Sequence, residues 1–490
     1  MSPFDRTRYE RLLEGLEATE ILYSTLLLAD SAFRIDSEFF RRAFLQAKEQ
    51  LEHQREVRRL CEISPSIEHP IEVTRAYSDD GTCRVLLAQE VRNNTLMLGA
   101  GSYLDAPSTA FTKKNKLNFG DIVLTRTGAN FGQCAPVLTD ETLFACADLL
   151  IIRKGSLPAE YVSTVLNTAQ SRLVLDRGAY GMAQPHIAPT YLKRIPIPVF
   201  GQLIDPVKNA VQWAMRARSE ANVAIERVEQ ILLQTLGLDN WTPPEALSYV
   251  RSSREAFAAG RFDAEYFHPA KVQALADLHA LSDVCVGDLF ESVRKLWHPT
   301  EAEGLPVRNY DLTDALDPFL DPLKPTTAPG EIASTKKCIA AGNLVVSRLR
   351  SYLREIAVVL PSDDGITAVA STEFIILRSK KDALLTVEAL LIYLRSRLPQ
   401  IVFKWSQDGS NHPRFDEHEL LNLPVPRALI TGQATYQTAV RQMVKQRQRA
   451  TRLLDAAKSA VEIAIEYSEA SALAYLKEVI KSVLTSESTV

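Results

Sequence analysis

The chain has 490 residues, 46% of them hydrophobic and 24% charged, which is typical of a folded globular protein rather than a disordered one. Its formal net charge of −4 lacks the basic excess of a free-standing nucleic-acid binder, so any DNA contact has to come from a local basic face. The six cysteines form no CxxC pair, which argues against a structural zinc site or a disulfide framework and predicts core thiols. The charged opening segment and the lack of a long apolar run predict a cytoplasmic protein with no membrane partner.

In chain order, residues 1–30 predict an N-terminal helical arm and residues 31–200 a first α+β domain. Short apolar runs bounded by Gly, Pro, Asn and Asp predict its strands, and a longer apolar-periodic run predicts a helix around 159–175. The predicted strands are Ile122-Val123-Leu124, Leu149–Ile152 and Ile195–Val199.

Residues 201–237 predict a single long helix that opens at Asp205-Pro206 and stops at Gly237-Leu238. About 32 helical residues span roughly 48 Å, more than one turn of B-DNA, so such a helix would act as a spacer. Its apolar stripe follows a 3.5-residue repeat, which is typical of a coiled-coil seam: Val211, Ala214, Arg218, Ala221, Ile225, Val228 and Leu232.

Residues 238–256, with paired prolines at 243 and 244, predict a linker, and residues 257–426 a second α+β domain. Its predicted strands are Leu344-Val345-Val346, Ile356–Leu360 and Phe374–Leu377, with a helix around 385–398. Residues 427–490 predict a second spacer helix and a C-terminal tail. The stripe of this helix matches the first one position for position, including an arginine in third place: Val440, Met443, Arg447, Ala450, Leu454, Ala457 and Val461.

The matching stripes predict that the two long helices pair with each other, the alternative being that each packs only on its own domain. The domains themselves also match. RIDSEFF from residue 34 recurs as RFDAEYF from residue 261, and GDIVLTRTG from residue 120 recurs as GNLVVSRLR from residue 342. Later matches, from Gly181 with Gly409 to Pro196 with Pro424, share an offset of 228 residues. The sequence therefore predicts one domain that occurs twice.

No catalytic motif stands out. The chain has no GxxxxGK[ST] phosphate loop, HExxH zinc site, GxSxG elbow or Glu-X-Lys nuclease triplet, and it lacks the Asn-Pro-Pro-aromatic quartet typical of adenine methyltransferases. The histidines do not cluster in metal-binding spacing, and Glu417-His418-Glu419 is interpreted as the polar start of a short helix. We therefore expect a non-catalytic protein with no metal and no cofactor of its own.

These motifs resemble the specificity subunits of Type I restriction-modification systems over nearly the whole chain. The resemblance rests on RIDSEFF and RFDAEYF, on GDIVLTRTG, on AQPHI leading into LKRIPIPV, and on LLDAAKSAVEIAIE near the C-terminus. The second copy departs from it, with SNHPRF for AQPHI and Leu349-Arg350 for Thr127-Gly128, which leaves the loop geometry of that copy open.

The resemblance implies two target-recognition domains, each reading half of a split double-stranded DNA target, and two spacer helices paired as an antiparallel coiled coil. It further implies two adenine methyltransferase subunits as partners, which bind S-adenosylmethionine and flip the target base, and a motor-nuclease subunit as a further partner in antiphage defence.

Base edges are read by Arg, Lys, Asn, Gln, His and hydroxyl side chains, whereas lysines mostly hold phosphates. In the first copy such groups lie on the turn after residue 125 and on a later loop: Arg126, Thr127, Asn130, Gln133, Gln184 and His186. In the second copy they are Arg348, Arg350, Ser351, Tyr352, Arg354, Ser410, Asn411, His412 and Arg414. The phosphate candidates are Lys113, Lys114, Lys336 and Lys337.

Structural alternatives remain open for these residues. Arg126 and Arg348 follow a buried strand and would each pair with a carboxylate instead of a base, while His186 would satisfy a backbone carbonyl. The Arg-x-Asp pairs at 34–36 and 261–263 are interpreted as domain-entry salt bridges or caps. At the level of function, the alternatives are a scaffold or adaptor of a defence complex that reads no sequence, and a diverged single-chain enzyme.

Overall fold

The computed structural model describes residues 5–12, 20–24, 34–72, 81–98, 102–105, 109–128, 130–181, 185–244, 246, 248–301, 304–409 and 412–485. The chain divides into two compact units, one of Met1–Arg218 with Gln448–Val490 and the other of Ser219–Arg447. Each unit holds one copy of the repeated domain and part of both long helices, Ile204–Thr235 and Gln433–Glu466. The domain boundaries drawn from the repeat stay predictions, because the division into units cuts across both helices instead.

The first unit is organised around a four-stranded sheet in the order Ile67–Glu68, Leu149–Ile152, Ile122–Thr125, Cys134–Pro136. Every residue of the two central strands is buried. Since successive side chains of a strand point to opposite sides, both faces of these strands are covered. Ile122 and Leu124 face a core shared with the helices, whereas Val123 faces the core of a second, three-stranded sheet. The predicted strands of this copy are confirmed.

The other elements of the first unit are short. Its remaining strands are Val57–Arg59, Cys83–Leu86, Val91–Arg92, Thr95–Leu96, Ser102–Leu104, Leu143–Ala145 and Pro196–Pro198. Its helices before residue 200 are Arg6–Leu12, Arg42–Glu52, Leu60–Ile63, Thr109–Asn115, Ala159–Leu166, Ala169–Arg177 and Pro189–Leu192, with 3₁₀ turns at Glu38–Phe40 and Ala88–Glu90.

The second unit repeats this arrangement in a five-stranded sheet, in the order Phe290–Ser292, Phe374–Ser379, Leu344–Ser347, Ile356–Val359, Phe319–Leu320. The register is the same in both units. Leu149 pairs with Thr125 in the first sheet, and Phe374 pairs with Ser347 in the second. The predicted strands of the second copy are confirmed, and so is the duplication at the level of strand pairing.

The remaining strands of the second unit are Leu296–Trp297, Arg308–Tyr310, Lys336–Ile339 and Ala368–Ala370. Its shorter helices are Ser253–Ala259, Pro269–Leu281, Val286–Leu289, Val387–Arg395, Arg397–Ser406, Glu417–Leu421 and Arg427–Thr431. Its 3₁₀ turns are Glu265–Phe267, Pro299–Glu301, Leu312–Ala315, Pro329–Glu331 and Ser351–Leu353.

Each helix that the sequence predicted inside a domain is broken in two. In the first copy the break falls at Thr168, whose hydroxyl accepts a hydrogen bond from the Ser171 amide and so caps the second segment. In the second copy the break falls at Ser396, whose hydroxyl donates 2.6 Å to the Tyr393 carbonyl. Small hydroxyl residues that satisfy the free backbone groups locally end a helix inside an apolar run.

The two long helices pack against each other in antiparallel fashion within each unit, as the matching stripes predicted. In the first unit Val211 shares a core with Ala457 and Val461, and Ala214 shares one with Ala450. In the second unit Val228 and Leu232 share a core with Val440 and Met443. The alanines allow the two backbones to approach closely.

The arginine in each stripe leaves the seam and contacts the globular part of its own unit. Arg218 donates 2.9 Å to the sulfur of Met97. Arg447 pairs with Asp317 at 2.6 Å and also donates to Asn222. The charge of Arg447 is thus compensated by an acid of the globular part, while the facing helix contributes the neutral side chain of Asn222.

The helix ends differ from the predictions in two places. The first long helix begins at Ile204, so Asp205 lies in its first turn, where a carboxylate stabilises the positive end of the helix dipole. It stops as predicted, because Gly237 takes a φ of +70° and the Leu238 amide donates to the Leu233 carbonyl. The predicted tail contains a further helix, Glu469–Thr485, because its apolar face packs Ala472 and Leu476 into the first core.

The cysteines are not all core thiols. Cys134 and Cys146 are buried, but Cys61 is exposed, and Cys83, Cys285 and Cys338 are partly exposed. Cys61 lies on a one-turn helix whose inward positions are taken by Leu60 and Ile63, and this leaves its thiol on the outer side.

Candidate nucleic-acid interface

A short loop in each copy is closed by a pair of backbone hydrogen bonds, here called the rung. In the first copy Tyr180 and His186 exchange two hydrogen bonds of 2.9 Å between amide and carbonyl groups. In the second copy Asp408 and Arg414, each 228 residues later, exchange two of 2.8 and 2.9 Å. The loop is therefore held by main-chain atoms whatever its side chains are. The candidates Gln184, Ser410 and Asn411 belong to these loops and lie outside the described residues.

A glycine starts both loops for a conformational reason. Gly181 and Gly409 have φ values of +96° and +95°, where any other residue would be strained. This position allows the chain to turn away immediately after the rung, so the aligned glycines of the two copies have the same role.

The Arg-x-Asp pairs fix the residue that precedes each rung. Arg34 pairs with Asp36 at 2.8 Å and donates 2.8 Å to the Ala179 carbonyl. Arg261 pairs with Asp263 at 2.6 Å and donates 3.3 Å to the Gln407 carbonyl.

The carboxylates of these pairs also cap the next turn: Asp36 accepts from the Phe39 amide and Asp263 from the Tyr266 amide. Hydrogen bonds from Arg34 and Arg261 hold the pKa of Asp36 and Asp263 below its usual value. The interpretation as domain-entry salt bridges and caps is confirmed.

The turn after the central strand, at 126–133 and 348–355, also keeps its backbone in both copies. The Thr125 amide donates 2.8 Å to the Gln133 carbonyl, and the Ser347 amide donates 2.9 Å to the Glu355 carbonyl. In the residues that the structure describes, this turn is thus closed by the same backbone hydrogen bond in both copies.

Two positions of this turn have a positive φ in both copies. Gly128 and Gly132 have φ values of +87° and +73°, and the residues at the matching positions, Arg350 and Arg354, have φ values of +50° and +52°. A left-handed backbone costs a residue with a Cβ about 1–2 kcal/mol. The second copy thus keeps two arginines where glycine would be less strained, which points to a role for their side chains.

Two candidates of the second copy, Arg348 and Arg414, converge on an acid that the sequence did not single out. Arg348 Nε donates 3.0 Å to Glu373 Oε2. Arg414 donates 2.9 Å from Nε to Oε2 and 2.8 Å from Nη2 to Oε1 of the same carboxylate. Hydrogen bonds first from Arg414 and then from Arg348 hold the pKa of Glu373 below its usual value. The side chains of Arg348 and Arg414 keep 40% and 41% of their surface exposed, so both present charge outward.

The sequence contained a signal for Glu373. In the first copy the Arg126 amide donates 2.8 Å to the Asp148 carbonyl, and in the second the Arg348 amide donates 3.2 Å to the Glu373 carbonyl. Asp148 and Glu373 occupy matching positions, each just before a strand. An alignment of the two copies would therefore have shown that both carry an acid at this position.

Further charged groups lie beside this cluster. Lys337 Nζ donates 2.7 Å to the Phe374 carbonyl, and the pKa of Lys337 is lowered first by burial and then by the neighbouring Arg348. Arg294, which the sequence did not single out, is largely exposed and pairs with Glu417 at 2.8 Å. Lys337 thus lies near two arginines, Arg348 and Arg294, and near the acids that pair with them, Glu373 and Glu417.

The four lysine candidates lie in different settings. Lys113 and Lys114 are exposed in the last turn of the helix Thr109–Asn115. Lys336 lies on a strand, is largely buried and pairs with Asp311 at 2.9 Å, so it presents little surface to a phosphate. The two lysine pairs thus match in sequence but not in structure.

The first copy's candidates have few partners. The Thr127 hydroxyl, Gln133 Oε1 and His186 Nδ1 are buried atoms without a hydrogen-bond partner in the described part of the chain. Gln133 Nε2 donates 3.5 Å to Asn130 Oδ1. Arg126 is half-buried, and its guanidinium forms no hydrogen bond with any described residue. The alternative prediction for His186 was a hydrogen bond to a backbone carbonyl, and its Nδ1 forms none with the described residues.

The other candidates of the second copy line the same turn and the rung loop. Arg350 Nη2 lies 3.5 Å from His412 Nδ1, which joins the turn to the rung loop. Ser351 is buried and accepts 2.8 Å from Gln407 Nε2, so its hydroxyl is already engaged. Tyr352 is exposed, and Arg354 lies 3.9 Å from a carboxylate oxygen of Glu229.

Among the described residues, no group of three or more His, Cys, Asp or Glu side chains is arranged to hold a metal ion. Nor does any helix in that part of the chain have the length and apolar character needed to cross a membrane.

No family model and no curated protein matches the chain. Among solved structures, it is similar to the S subunit of a Type-I restriction-modification system from M. genitalium, at 12% identity and a TM-score of 0.34, over 82% of this chain and 94% of the other. It is also similar to the HsdS subunit from Thermoanaerobacter tengcongensis, at 12% identity and a TM-score of 0.25, over 84% and 97%. A third similar chain comes from a structure on assembly and conformational transition of the type I R-M system. It has 12% identity and a TM-score of 0.25, over 85% of this chain and 98% of the other. All three neighbours are S subunits of Type I restriction-modification systems, the family that the sequence motifs resemble.

Proposed function

We propose that this chain is the DNA-reading specificity subunit of a Type I restriction-modification complex. Each copy of the repeated domain reads one half of a bipartite double-stranded target through the turn after the central strand and the rung loop. The chain itself supplies recognition and no catalysis.

The observation that carries this proposal is that the two copies share backbone hydrogen bonds but differ in the side chains at matching positions. Both copies close the rung loop with the same two backbone hydrogen bonds, yet His186 stands at the position of Arg414. Both form the same turn, yet Gly128 stands at the position of Arg350. A protein that must read two different half-sites with one architecture needs this combination, because the backbone positions the side chains and the side chains select the bases.

The basic groups of the second copy support nucleic acid as the ligand. The chain has a net charge of −4, so any contact with DNA needs a local basic face. The exposed arginines of the second copy provide such a face. A scaffold that reads no sequence gives no reason to hold two arginines at left-handed backbone positions.

The partners belong to the same proposal. Two adenine methyltransferase subunits, which carry S-adenosylmethionine, bind the chain and modify the target, and a motor-nuclease subunit joins them for restriction. The complex acts in the cytoplasm as an antiphage defence, with DNA methylation as the self-marking reaction.

The experiment is an exchange of residues 30–199 for the same segment of a homologue, followed by mapping of adenine methylation in cells that also carry the partner methyltransferase. We expect a split methylated motif of which one half changes and the other half and the gap remain. Exchange of residues 257–426 is the matched control and should change the other half only. No split motif, or a motif that neither exchange alters, contradicts the proposal. Lack of salt-sensitive, sequence-dependent DNA binding by the assembled complex would favour the scaffold, and turnover by the purified chain alone would favour the single-chain enzyme.

A further inference from the structure

We propose that the half-site read by the second copy contains a guanine, that Arg348 reads it, and that Glu373 is the positioning residue for this contact. The inference rests on the proposed function and adds the chemistry of one half of the target. It is carried by the geometry of three side chains: Arg348, Glu373 and Arg414.

The hydrogen bonds of Arg348 leave its reading edge available. A guanidinium has five N–H groups, and Arg348 uses Nε toward Glu373. Its two Nη groups donate to no other described residue, and the side chain is 40% exposed. Two parallel N–H groups of this kind match the N7 and O6 acceptors that guanine presents in the major groove, which is the commonest specific contact between arginine and DNA.

Glu373 is held from its other side. Arg414 binds both of its carboxylate oxygens, and Arg414 Nη1 also donates 3.0 Å to the His412 carbonyl of the rung loop. The carboxylate is therefore fixed by the rung loop and in turn fixes Arg348. A side chain held in its binding geometry loses less conformational entropy when DNA arrives, and this strengthens the correct contact.

The charge of the cluster also fits a nucleic acid. Two guanidinium groups share one carboxylate, and the low pKa of Glu373 keeps that carboxylate ionised. The group is thus positive as a whole, and Lys337 lies beside it. Glu373 can therefore orient an arginine without cancelling the attraction to phosphates.

The first copy lacks this arrangement at the matching positions. Asp148 replaces Glu373 with a side chain one methylene shorter, and His186 replaces Arg414. Arg126 matches Arg348, but no described carboxylate holds its guanidinium. The inference therefore assigns the clamped guanine contact to the second half-site alone.

The test is selection of bound duplexes from a random DNA pool by the assembled complex of this chain with its methyltransferase subunits. The variants are Arg348→Lys, Arg348→Gln and Glu373→Gln, each first checked for an unchanged unfolding midpoint. Arg378→Gln is the matched control, because Arg378 pairs with Glu291 at 2.8 Å on the same sheet and both are well exposed. We expect the unmodified complex and the control to select a split site with guanine in the second half.

Arg348→Lys keeps the charge but loses the planar fork, so guanine preference at that position should fall about ten-fold or more while the salt dependence of binding stays the same. Arg348→Gln should lose the preference and also reduce the salt dependence. Glu373→Gln should weaken the preference without weakening overall affinity, a result that a purely structural salt bridge would not give.

A split site without guanine in the second half, or one whose guanine preference survives both Arg348 variants, overturns the inference and leaves the proposed function intact. Retention of the preference in a folded Glu373→Gln variant overturns the positioning role. No split site at all would instead remove the proposed function.

Discussion

Asn167 and Arg395 occupy matching positions in the two copies. Each supports the corresponding strand of its own copy, one through a neutral amide and the other through a guanidinium. Asn167 Nδ2 donates 2.8 Å to the Cys134 carbonyl, and Arg395 Nη1 donates 3.1 Å to the Ile356 carbonyl and 2.7 Å to the Arg354 carbonyl. Each holds the first residue of the strand that follows the turn at 126–133 or 348–355. The second copy thus anchors its turn by a cation, although burial lowers the pKa of Arg395 to about 10.

Arg395→Ala should destabilise the second unit by about 2–3 kcal/mol, because two backbone carbonyls lose a charged donor. Urea unfolding followed by tryptophan fluorescence reports this well, since three of the four tryptophans, at 241, 297 and 405, lie in the second unit. Arg378→Ala, which removes an exposed pair, should change the free energy by less than about 0.5 kcal/mol. Equal effects of the two changes would contradict the anchoring role.

The pair of Arg447 with Asp317 should also matter for stability. Only 11% of the Arg447 side chain is exposed, so Asp317→Ala removes a carboxylate that pairs with a buried charge. We expect a loss of about 2–4 kcal/mol in the free energy of unfolding of the second unit. Asp317→Asn, which keeps a hydrogen-bond acceptor, should lose less. An unfolding curve that is unchanged for Asp317→Ala would show that the helix seam alone holds this arginine.

Glu355 should make the second unit less stable as pH rises. Only 4% of its surface is exposed, and burial raises the pKa of Glu355 from its ordinary 4.5 to about 7. Between these pH values the folded chain holds a proton that the unfolded chain has released, so the free energy of unfolding falls as pH rises through this window. Glu355→Gln, which places the residue of the matching position, Gln133, in the second copy, should remove this effect.

The expected result for Glu355→Gln is near-equal stability at pH 5 and a gain of about 2–3 kcal/mol over the unmodified chain at pH 8. The measurement is urea unfolding at both pH values. A gain that is the same at pH 5 and pH 8 would mean that Glu355 does not titrate in this range. Asp288→Asn, which removes a carboxylate that accepts 2.7 Å from the Cys285 amide at a helix start, is a control for loss of charge elsewhere in the unit.

The left-handed positions of the turn at 126–133 and 348–355 predict opposite effects of substitution in the two copies. Arg350→Gly should leave stability unchanged or raise it by up to about 1 kcal/mol, because it relieves the strain at a φ of +50°, while DNA affinity falls. Gly128→Ala should cost about 1–2 kcal/mol, since nothing lies within 4 Å of the added Cβ and the cost is therefore backbone strain alone. Thermal unfolding and DNA titration of both variants provide the check. A loss of more than 1 kcal/mol in Arg350→Gly would mean that this arginine stabilises the fold.

Much of the fold follows from the sequence because it rests on local periodicity. The central strands carry apolar residues on both faces, and the long helices carry a 3.5-residue stripe, so both kinds of element could be recognised without tertiary information. The break at Ser396 and the helix after Ser468 could not, because hydroxyl capping and the burial of Leu476 depend on what packs nearby.

The candidate site was predictable only in part. Glycines and prolines marked the two loops correctly, and the basic residues on them were visible in the sequence. The convergence of Arg348 and Arg414 on Glu373 was not, because the three residues come from separate parts of the chain and meet only through strand pairing. The two lysine pairs differ in structure for a similar reason. The triplet Thr-Lys-Lys occurs at 112–114 and again at 335–337, but three identical residues do not fix whether a segment becomes a helix or a strand.

The backbone rung has a consequence for how such a protein can evolve. Because Tyr180 with His186, and Asp408 with Arg414, join through main-chain atoms, we expect mutations between them to cost little folding stability and, under the proposed function, to change the recognition chemistry. New target specificities can then arise by drift or recombination within a few codons, while the rest of the gene remains under ordinary selection for a stable product. In the laboratory, the same separation makes residues 181–186 and 409–414 the smallest grafts with which to attempt a change of specificity.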